Sequence, residues 1–145
     1  MALTKPMSWE YVACFLDCEG SVCAYVERHR TRPNGTPRPT ITMAQQQLRV
    51  LEEMRDFMGY GVITRSKQGN GSYRLQVRGR ANVLDFTAHV EPYLRVKRKQ
   101  IRLARMMAER VGLDNTPTTK QVRREREFLA LKIKEANNRK EVSWQ

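Results

Sequence analysis

The first thirty residues change from a helical to a strand-like pattern of apolar positions. A helix is predicted over about Ser8 to Cys18, with Ser8 as its N-cap and Gly20 as its stop. Its apolar face comprises Trp9, Tyr11, Val12, Phe15 and Leu16. Residues 21 to 30 alternate with a period of two, which is typical of a half-buried strand. Val22, Ala24 and Val26 lie on one face of that strand, and Ser21, Cys23, Tyr25, Glu27 and His29 on the other.

The next segment repeats this change of period. Thr31 to Pro39 is rich in proline and predicts a hairpin turn into a second strand, about Arg38 to Ala44. A second helix follows from Gln46 and ends at the glycines 59 and 61. Its apolar stripe comprises Leu48, Leu51, Met54 and Phe57.

The rest of the chain adds two strands and several helices. The strands are predicted over about 62–67 and 72–78, joined by a Gly/Asn loop, and the helices over about 81–89, 97–111 and 118–136. The order helix, strand, strand, helix, strand, strand, helices predicts an α+β fold. Its helices pack on one face of an antiparallel sheet and leave the other face for a partner.

Composition and charge indicate one folded domain with a polyanionic partner. The 145 residues are 40% apolar, which suits a single core. Lys and Arg total 27 against 15 acidic residues, giving a net charge of +12 and a pI near 10.2. Such an excess favours nucleic acid. A membrane surface is disfavoured because the basic residues are spread through strands and helices instead of lining one amphipathic helix.

The sequence also carries expectations about compartment and cysteine chemistry. It has no run of 18 apolar residues and no secretory signal pattern, so we expect an intracellular protein that is not secreted. Cys14, Cys18 and Cys23 are odd in number, crowded, and without a C-x-x-C pair, which disfavours disulfides and a zinc site. We expect them to be small buried residues.

The end of the first helix carries the most informative motif, residues 12–21, which read VACFLDCEGS. This segment resembles the signature of LAGLIDADG homing endonucleases. It keeps the alanine, the apolar pair, both acids and the final glycine, with Glu19 where the family has Asp. Either carboxylate supplies a hard oxygen ligand to Mg²⁺.

The resemblance extends over about residues 8 to 111 and implies a set of catalytic residues. Gln45 follows the second strand, Arg49 lies one helical turn later, and Lys97 lies in the basic cluster of residues 93–100. By resemblance, Glu19, Gln45, Arg49 and Lys97 are catalytic, and Glu19 with the Cys18 backbone carbonyl holds Mg²⁺ or another divalent cation. Alternatively, Gln45 and Arg49 are ordinary polar residues at a helix start, and Lys97 is one phosphate contact among many.

The resemblance further implies a single-motif protein that works as a homodimer. The domain would have a saddle-shaped sheet over its core, and a C-terminal helical extension over about residues 112–145. Two scissile phosphates lie on opposite strands of a duplex, so a two-fold dimer would place two copies of Glu19 between them. We expect the motif helices to pack together through Ala13, Cys14, Asp17 and Cys18, and Asp17 to cap or pack within its own helix rather than bind metal. The alternative is that the cysteines are core residues of a monomer.

The free sheet face is expected to read base edges in the major groove of DNA. Alternate strand positions there are polar and varied; the alternative is a solvated face with no partner. The predicted DNA-binding residues are Tyr25, Glu27, His29, Arg32, Arg38, Thr40, Thr64, Ser66, Arg74 and Gln76. Further phosphate contacts are expected from Lys67, Arg95, Arg98, Lys99 and Arg102. The last helix is expected to pack on the body through Phe128, Leu129 and Ile133, and to present a basic face that includes Arg126.

The resulting hypothesis is a homing endonuclease that makes a staggered double-strand break in a long DNA target, in a prokaryotic cytoplasm or an organelle. The alternatives are an intron maturase that binds RNA, a regulator that binds DNA without cutting, and a basic RNA-binding structural protein. Retention of Glu19 argues against the regulator but not against the maturase. A basic RNA-binding structural protein would need only positive charge. That alternative leaves unexplained the motif at residues 13–20 and the family matches further along the chain.

Overall fold

The computed structural model describes residues 5–26, 37–66, 71–111 and 119–138 of the chain. The helices are α1 (Trp9–Glu19), α2 (Leu48–Met58), α3 (Arg80–Val90), α4 (Arg98–Glu109) and α5 (Lys120–Asn137), with a 3₁₀ turn at Glu91–Tyr93. The strands are β1 (Gly20–Val26), β2 (Pro37–Gln45), β3 (Val62–Arg65) and β4 (Tyr73–Val77). They form one antiparallel sheet in the order β1-β2-β4-β3. The predicted α+β order is confirmed.

Strand β2 begins inside the segment that we predicted to be a turn. Pro37 and Pro39 belong to the strand and lie opposite Val26 and Ala24 of β1. Pairing of β2 with β4 starts only at Ile41. Proline lacks an N–H donor, and it is tolerated in a strand where only one side is paired.

The two faces of the sheet differ as the alternation predicted. Residues paired across the ladder share a face, so the register defines an inner face that includes Val22, Ile41, Met43, Leu75 and Val77. All five are fully buried, and they form one core with apolar residues of the helices. The outer face carries the other half of each strand, and its residues are exposed or half-buried apart from Thr40.

Helix α1 is fixed at both ends by local chemistry. At its start, Ser8 Oγ accepts a hydrogen bond from the Tyr11 N–H at 3.2 Å, as the N-cap prediction requires. At its end, a Cβ atom on Gly20 would lie 2.4 Å from a Leu16 methyl and 2.8 Å from the Leu16 carbonyl oxygen. The chain turns from helix to strand so tightly that only glycine fits there.

Helix α5 packs on the body through two of the three apolar residues that we predicted. Leu129 and Ile133 are buried, whereas Phe128 is exposed. Arg126, which we placed on the basic face, is only 2% exposed and donates two hydrogen bonds to the Pro37 carbonyl at 2.8 and 3.0 Å. Burial, together with neighbouring arginines, lowers the Arg126 pKa to about 10. The Arg126 guanidinium thus binds the Pro37 carbonyl of β2, in the part of β2 that does not pair with β4.

The opposite end of α5 covers the open edge of the sheet. Asn137 Nδ2 donates to the Val22 carbonyl of β1 at 2.7 Å. An edge strand with free carbonyls can pair with another chain, and covering it prevents that association. None of the helices in the described ranges combines the length and apolar character needed to cross a bilayer.

A cluster of charges joins the 3₁₀ turn to α4. Glu91 accepts a hydrogen bond from Arg102 Nε at 2.5 Å and another from the Arg105 guanidinium. These hydrogen bonds, the one from Arg102 above all, lower the Glu91 pKa below its usual value of 4.5 although burial opposes the shift. The cluster holds α4 against the end of α3.

We predict that Glu91→Gln lowers the free energy of unfolding by about 1–3 kcal/mol at neutral pH, because two arginines lose a charged acceptor. A carboxyl whose pKa is lowered by folding stabilises the protein above its unfolded pKa and loses that effect as the pH falls. The difference between wild type and variant should therefore be full above pH 4.5 and should shrink below it. Urea unfolding at several pH values measures this. Glu109→Gln, at an exposed site in α4, is the control and should change little; an equal loss there would contradict the assignment.

Candidate functional site

The candidate site lies where α1 ends and β1 begins. Glu19 is the last residue of α1, and its side chain is exposed. It makes no hydrogen bond or ion pair with any residue in the described part of the chain. Because Gly20 pairs with Met43, Glu19 lies at the same end of the β1–β2 ladder as Gln45. The carboxylate is therefore available to solvent at one end of the sheet.

Asp17 has a role that we did not predict. Its carboxylate accepts hydrogen bonds from the backbone N–H groups of Arg95, Val96 and Lys97 at 2.8, 3.2 and 3.0 Å. We expected it to cap or pack within α1 and to contribute to the dimer interface. It instead binds the segment that leads into α4, and its carboxylate is occupied within the chain.

The Lys97 side chain makes a second contact between the same two segments, at the end of α1. Its Nζ donates to the Asp17 backbone carbonyl at 2.8 Å, and the side chain is half-buried. The last four carbonyls of a helix have no intrahelical partner, and a cation there also interacts favourably with the helix dipole. Lys97 Nζ and Glu19 thus lie at the same end of α1, and their catalytic roles stay predictions.

Gln45 and Arg49 have contacts within their own region of the chain. Gln45 Oε1 accepts from the N–H groups of Gln46 and Gln47 at 2.8 and 3.4 Å, just before α2. Arg49 pairs with Glu53 one turn later at 3.5 Å, and its side chain is 92% exposed. In the single chain, both match the alternative of ordinary polar residues at a helix start. Their catalytic roles stay predictions.

The exposed side of α1 includes fewer of the predicted dimer-interface residues than we expected. Cys14 and Cys18 are exposed, together with Tyr11. Ala13 is fully buried in the chain's own core, so placing it in a helix interface was wrong. The expectation that the cysteines are buried was wrong as well. Cys14 and Cys18 lie on the exposed side of α1, and Cys23 lies on the outer face of the sheet.

The outer face of the sheet contains most of the predicted DNA-binding residues. Six of them lie there by register, and Ser66 follows directly after β3. Glu27, His29 and Arg32 lie outside the described residues, as does Lys67. The six are Tyr25, Arg38, Thr40, Thr64, Arg74 and Gln76.

Two details of this face differ from the prediction. Thr40 is only 5% exposed, so in the free chain it does not present its hydroxyl to a partner. Thr42, opposite Ser21 and Gln76, shares the face and was missed. The period of two that identified its neighbours would also have identified Thr42.

Only some of the side chains predicted to contact phosphate are free of partners in the described part of the chain. Arg95, Arg98 and Lys99 are exposed near the start of α4. Arg102 is bound to Glu91, so its guanidinium is engaged within the chain. A nucleic acid could bind Arg95, Arg98 and Lys99 without breaking the hydrogen bonds between Glu91 and its two arginines.

The described residues of one chain do not form a complete metal site. Among the described residues, no group of three or more His, Cys, Asp and Glu side chains could hold a metal ion. Glu19 is a single hard ligand, and the Cys18 carbonyl is among the last four of α1.

Solved structures share this architecture along nearly the whole chain. The homing endonuclease I-CvuI in complex with the I-CreI target has a TM-score of 0.77 and 24% identity, over 93% of this chain and 85% of that one. The archaeal intron-encoded homing endonuclease I-Vdi141I complexed with DNA has a TM-score of 0.78 and 17% identity, over 94% and 88%. The LAGLIDADG homing endonuclease I-SmaMI bound to cleaved DNA has a TM-score of 0.66 and 20% identity.

The chain has the LAGLIDADG homing endonuclease fold. The match with I-SmaMI spans 87% of this chain but only 42% of the I-SmaMI chain. No protein-family model and no curated protein matches it. Because these identities are below 25%, the matches establish the fold alone.

We predict that Asp17→Asn lowers the free energy of unfolding by about 1–3 kcal/mol, because an amide cannot replace a carboxylate that accepts three backbone N–H groups. Urea unfolding measures the change. Asp56→Asn is the matched control, since Asp56 is 75% exposed and lies 3.6 Å from Arg55 on α2. Equal unfolding midpoints for the two variants would contradict the role given to Asp17.

Proposed function

We propose that this protein is a sequence-specific DNA endonuclease that acts as a homodimer and makes a staggered double-strand break with the help of divalent metal ions. The observation that carries the proposal is the placement of Glu19. An exposed carboxylate lies at the end of a helix whose outward face is open, two residues after the carbonyl that Lys97 binds and at one end of a polar sheet face.

Double-stranded DNA fits the surface chemistry of the chain. The net charge of +12 supplies attraction to phosphate, and Arg95, Arg98 and Lys99 are exposed near Lys97. The outer sheet face adds arginine, glutamine and threonine, which can distinguish base edges in the major groove. Both I-CvuI and I-Vdi141I, which share the fold, are described in complex with DNA.

Glu19 and the Cys18 carbonyl are the groups that would hold a divalent cation. Both are oxygen donors, which suit Mg²⁺, and Glu19 has no competing partner in the described part of the chain. When bound, such a cation stabilises negative charge on phosphate oxygens. A single carboxylate is a sparse ligand set, so the second copy of the chain and the DNA itself are the expected sources of the remaining ligands.

Lys97 would position a phosphate near Glu19. Its ammonium has three N–H donors, and the Asp17 carbonyl takes one of them. The other two can bind a phosphate oxygen and counter the charge that develops there. Since the Asp17 carboxylate holds the Lys97 backbone, this ammonium is oriented before DNA arrives.

A homodimer would complete the site. Cutting both strands needs two sets of groups related by the two-fold symmetry of the duplex. Tyr11, Cys14 and Cys18 form an outward stripe on α1, and two small side chains one turn apart allow helices to approach closely. This chain matches 42% of I-SmaMI, which leaves room in that longer chain for a second unit of similar size.

The activity is tested with plasmid libraries of candidate sites, Mg²⁺, and the Glu19→Gln variant. The wild type should make a staggered double-strand cut at one long site. The variant should bind that site with similar affinity and cut at least about 100-fold more slowly, because it lacks the charged ligand. Glu10→Gln, at an exposed site in the first turn of the same helix, is the control and should cut normally. Binding of structured RNA with no cleavage of any duplex would reject the proposal.

The dimer is tested by placing a charge on the outward stripe of α1. Cys18→Glu should convert a dimer of twice 17.0 kDa into a monomer, because two like charges would face each other at the helix crossing. Sedimentation velocity measures the mass in solution. Leu131→Glu, at an exposed apolar site on α5, is the matched control and should remain dimeric. A monomeric wild type at micromolar concentration, on and off DNA, would reject the homodimer.

A further inference from the structure

Arg78 makes a contact on the outer sheet face that the sequence did not suggest. It follows directly after β4, and its guanidinium carbon lies 4.9 Å from the centroid of the Tyr25 ring. Tyr25 belongs to β1, and the strand order places β2 between β1 and β4. The Arg78 side chain therefore crosses β2 to reach Tyr25.

The residue beneath this crossing is Thr40. The ladder pairs Ile41 with Val77, so the next antiparallel position sets Arg78 beside Thr40. On the other side, β1 pairs Cys23 with Thr40 and Tyr25 with Arg38. Thr40 thus lies between the two members of the stacked pair, which accounts for its burial in the middle of an otherwise open face.

The hydroxyl of Thr40 has no hydrogen-bond partner in the part of the chain that the structure describes. Its Oγ1 is the buried side-chain polar atom without a partner among the described residues, and Thr40 is 5% exposed. A buried hydroxyl without a hydrogen-bond partner is unfavourable. The stack of Arg78 on Tyr25 therefore covers a group that would gain a hydrogen bond if the stack opened.

We propose that Arg78 is a further base-reading residue, and that its stack on Tyr25 is a resting state that DNA opens. The proposal rests on the proposed function. An exposed guanidinium that rests on an aromatic ring has no carboxylate partner among the described residues, so its N–H donors remain available. In the major groove those donors match the two acceptors of guanine. Movement of Arg78 to a base uncovers Thr40, and its hydroxyl gains a partner from the DNA or from water.

The backbone of Arg78 is well placed for this movement of its side chain. Its carbonyl accepts a hydrogen bond from Asn82 Nδ2 at 3.2 Å, at the start of α3. The neighbouring Val77 is fully buried in the core. The main chain is held while the side chain alone changes partner.

The resting state is tested in the free protein, where the outcome does not depend on nuclease activity. Thr40→Val removes an unpartnered hydroxyl and should leave the urea midpoint unchanged or raise it. Thr87→Val is the contrast, because the buried Thr87 hydroxyl donates to the Val83 carbonyl at 2.8 Å, and this variant should unfold at lower urea. In NMR spectra, the Arg78 side-chain protons should show an upfield ring-current shift that Tyr25→Leu abolishes. Equal destabilisation by the two threonine variants, or no ring-current shift, would overturn the resting state.

The reading role is tested by measuring DNA-binding preference at every position of the selected site. Arg78→Ala should reduce discrimination for guanine at one base pair in each half-site by about 10-fold or more. Arg78→Lys keeps the charge but not the planar fork, so it should restore affinity without restoring that preference. Arg80→Ala, at an exposed neighbouring site, controls for the loss of one positive charge and should leave the preference unchanged.

The outcomes separate this inference from the proposed function. If the wild type selects no DNA site, the proposed function and the inference fail together. If it selects a site and Arg78→Ala weakens binding equally for every base, Arg78 contacts phosphate only and the inference alone is overturned. A loss of preference confined to one guanine position supports it.

Discussion

The reciprocal contact between the end of α1 and the start of α4 organises this molecule. The Asp17 carboxylate accepts three backbone N–H groups just before α4, and Lys97 Nζ donates to a carbonyl in the last turn of α1. Each charge lies at the helix terminus whose dipole favours it, an acid before an N-terminus and a cation at a C-terminus. An acid in the last turn of α1 would otherwise be unfavourable, and the N–H donors of residues 95–97 offset that cost.

This contact decides which parts of α1 remain open. One side of the helix contributes Val12, Ala13 and Leu16 to the core, and Asp17 is bound to the segment before α4. What remains is the outward stripe with Cys14 and Cys18, together with Glu19 at its end. An exposed helix stripe and an exposed carboxylate therefore lie on the same element, next to the outer face of the sheet.

Much of the fold could be predicted because the signals were local. Ser8 caps α1 through a residue three positions away, and a period of two assigned Tyr25, Arg74 and Gln76 to the outer face. The expectation that Glu19 and Lys97 act at one site came only from the family resemblance. The partners of Asp17 are 78 to 80 residues distant, and no local pattern predicts such a contact.

The errors share a physical cause. The burial of Ala13 and Arg126, and the exposure of the cysteines, depend on which face of a helix meets its neighbours, and composition does not determine that face. The same holds for Thr40, which alternation places on the outer face but which lies beneath the crossing of Arg78 to Tyr25.

In the proposed dimer, two copies of α1 bring two Glu19 carboxylates to the scissile phosphates of one duplex. The most direct measurement is anomalous X-ray scattering from crystals of the protein bound to its selected DNA in Mn²⁺. We expect a two-fold dimer with manganese bound to Glu19 and to phosphate oxygens between the paired helices. One chain bound to DNA, with Glu19 facing solvent and manganese elsewhere, would contradict it.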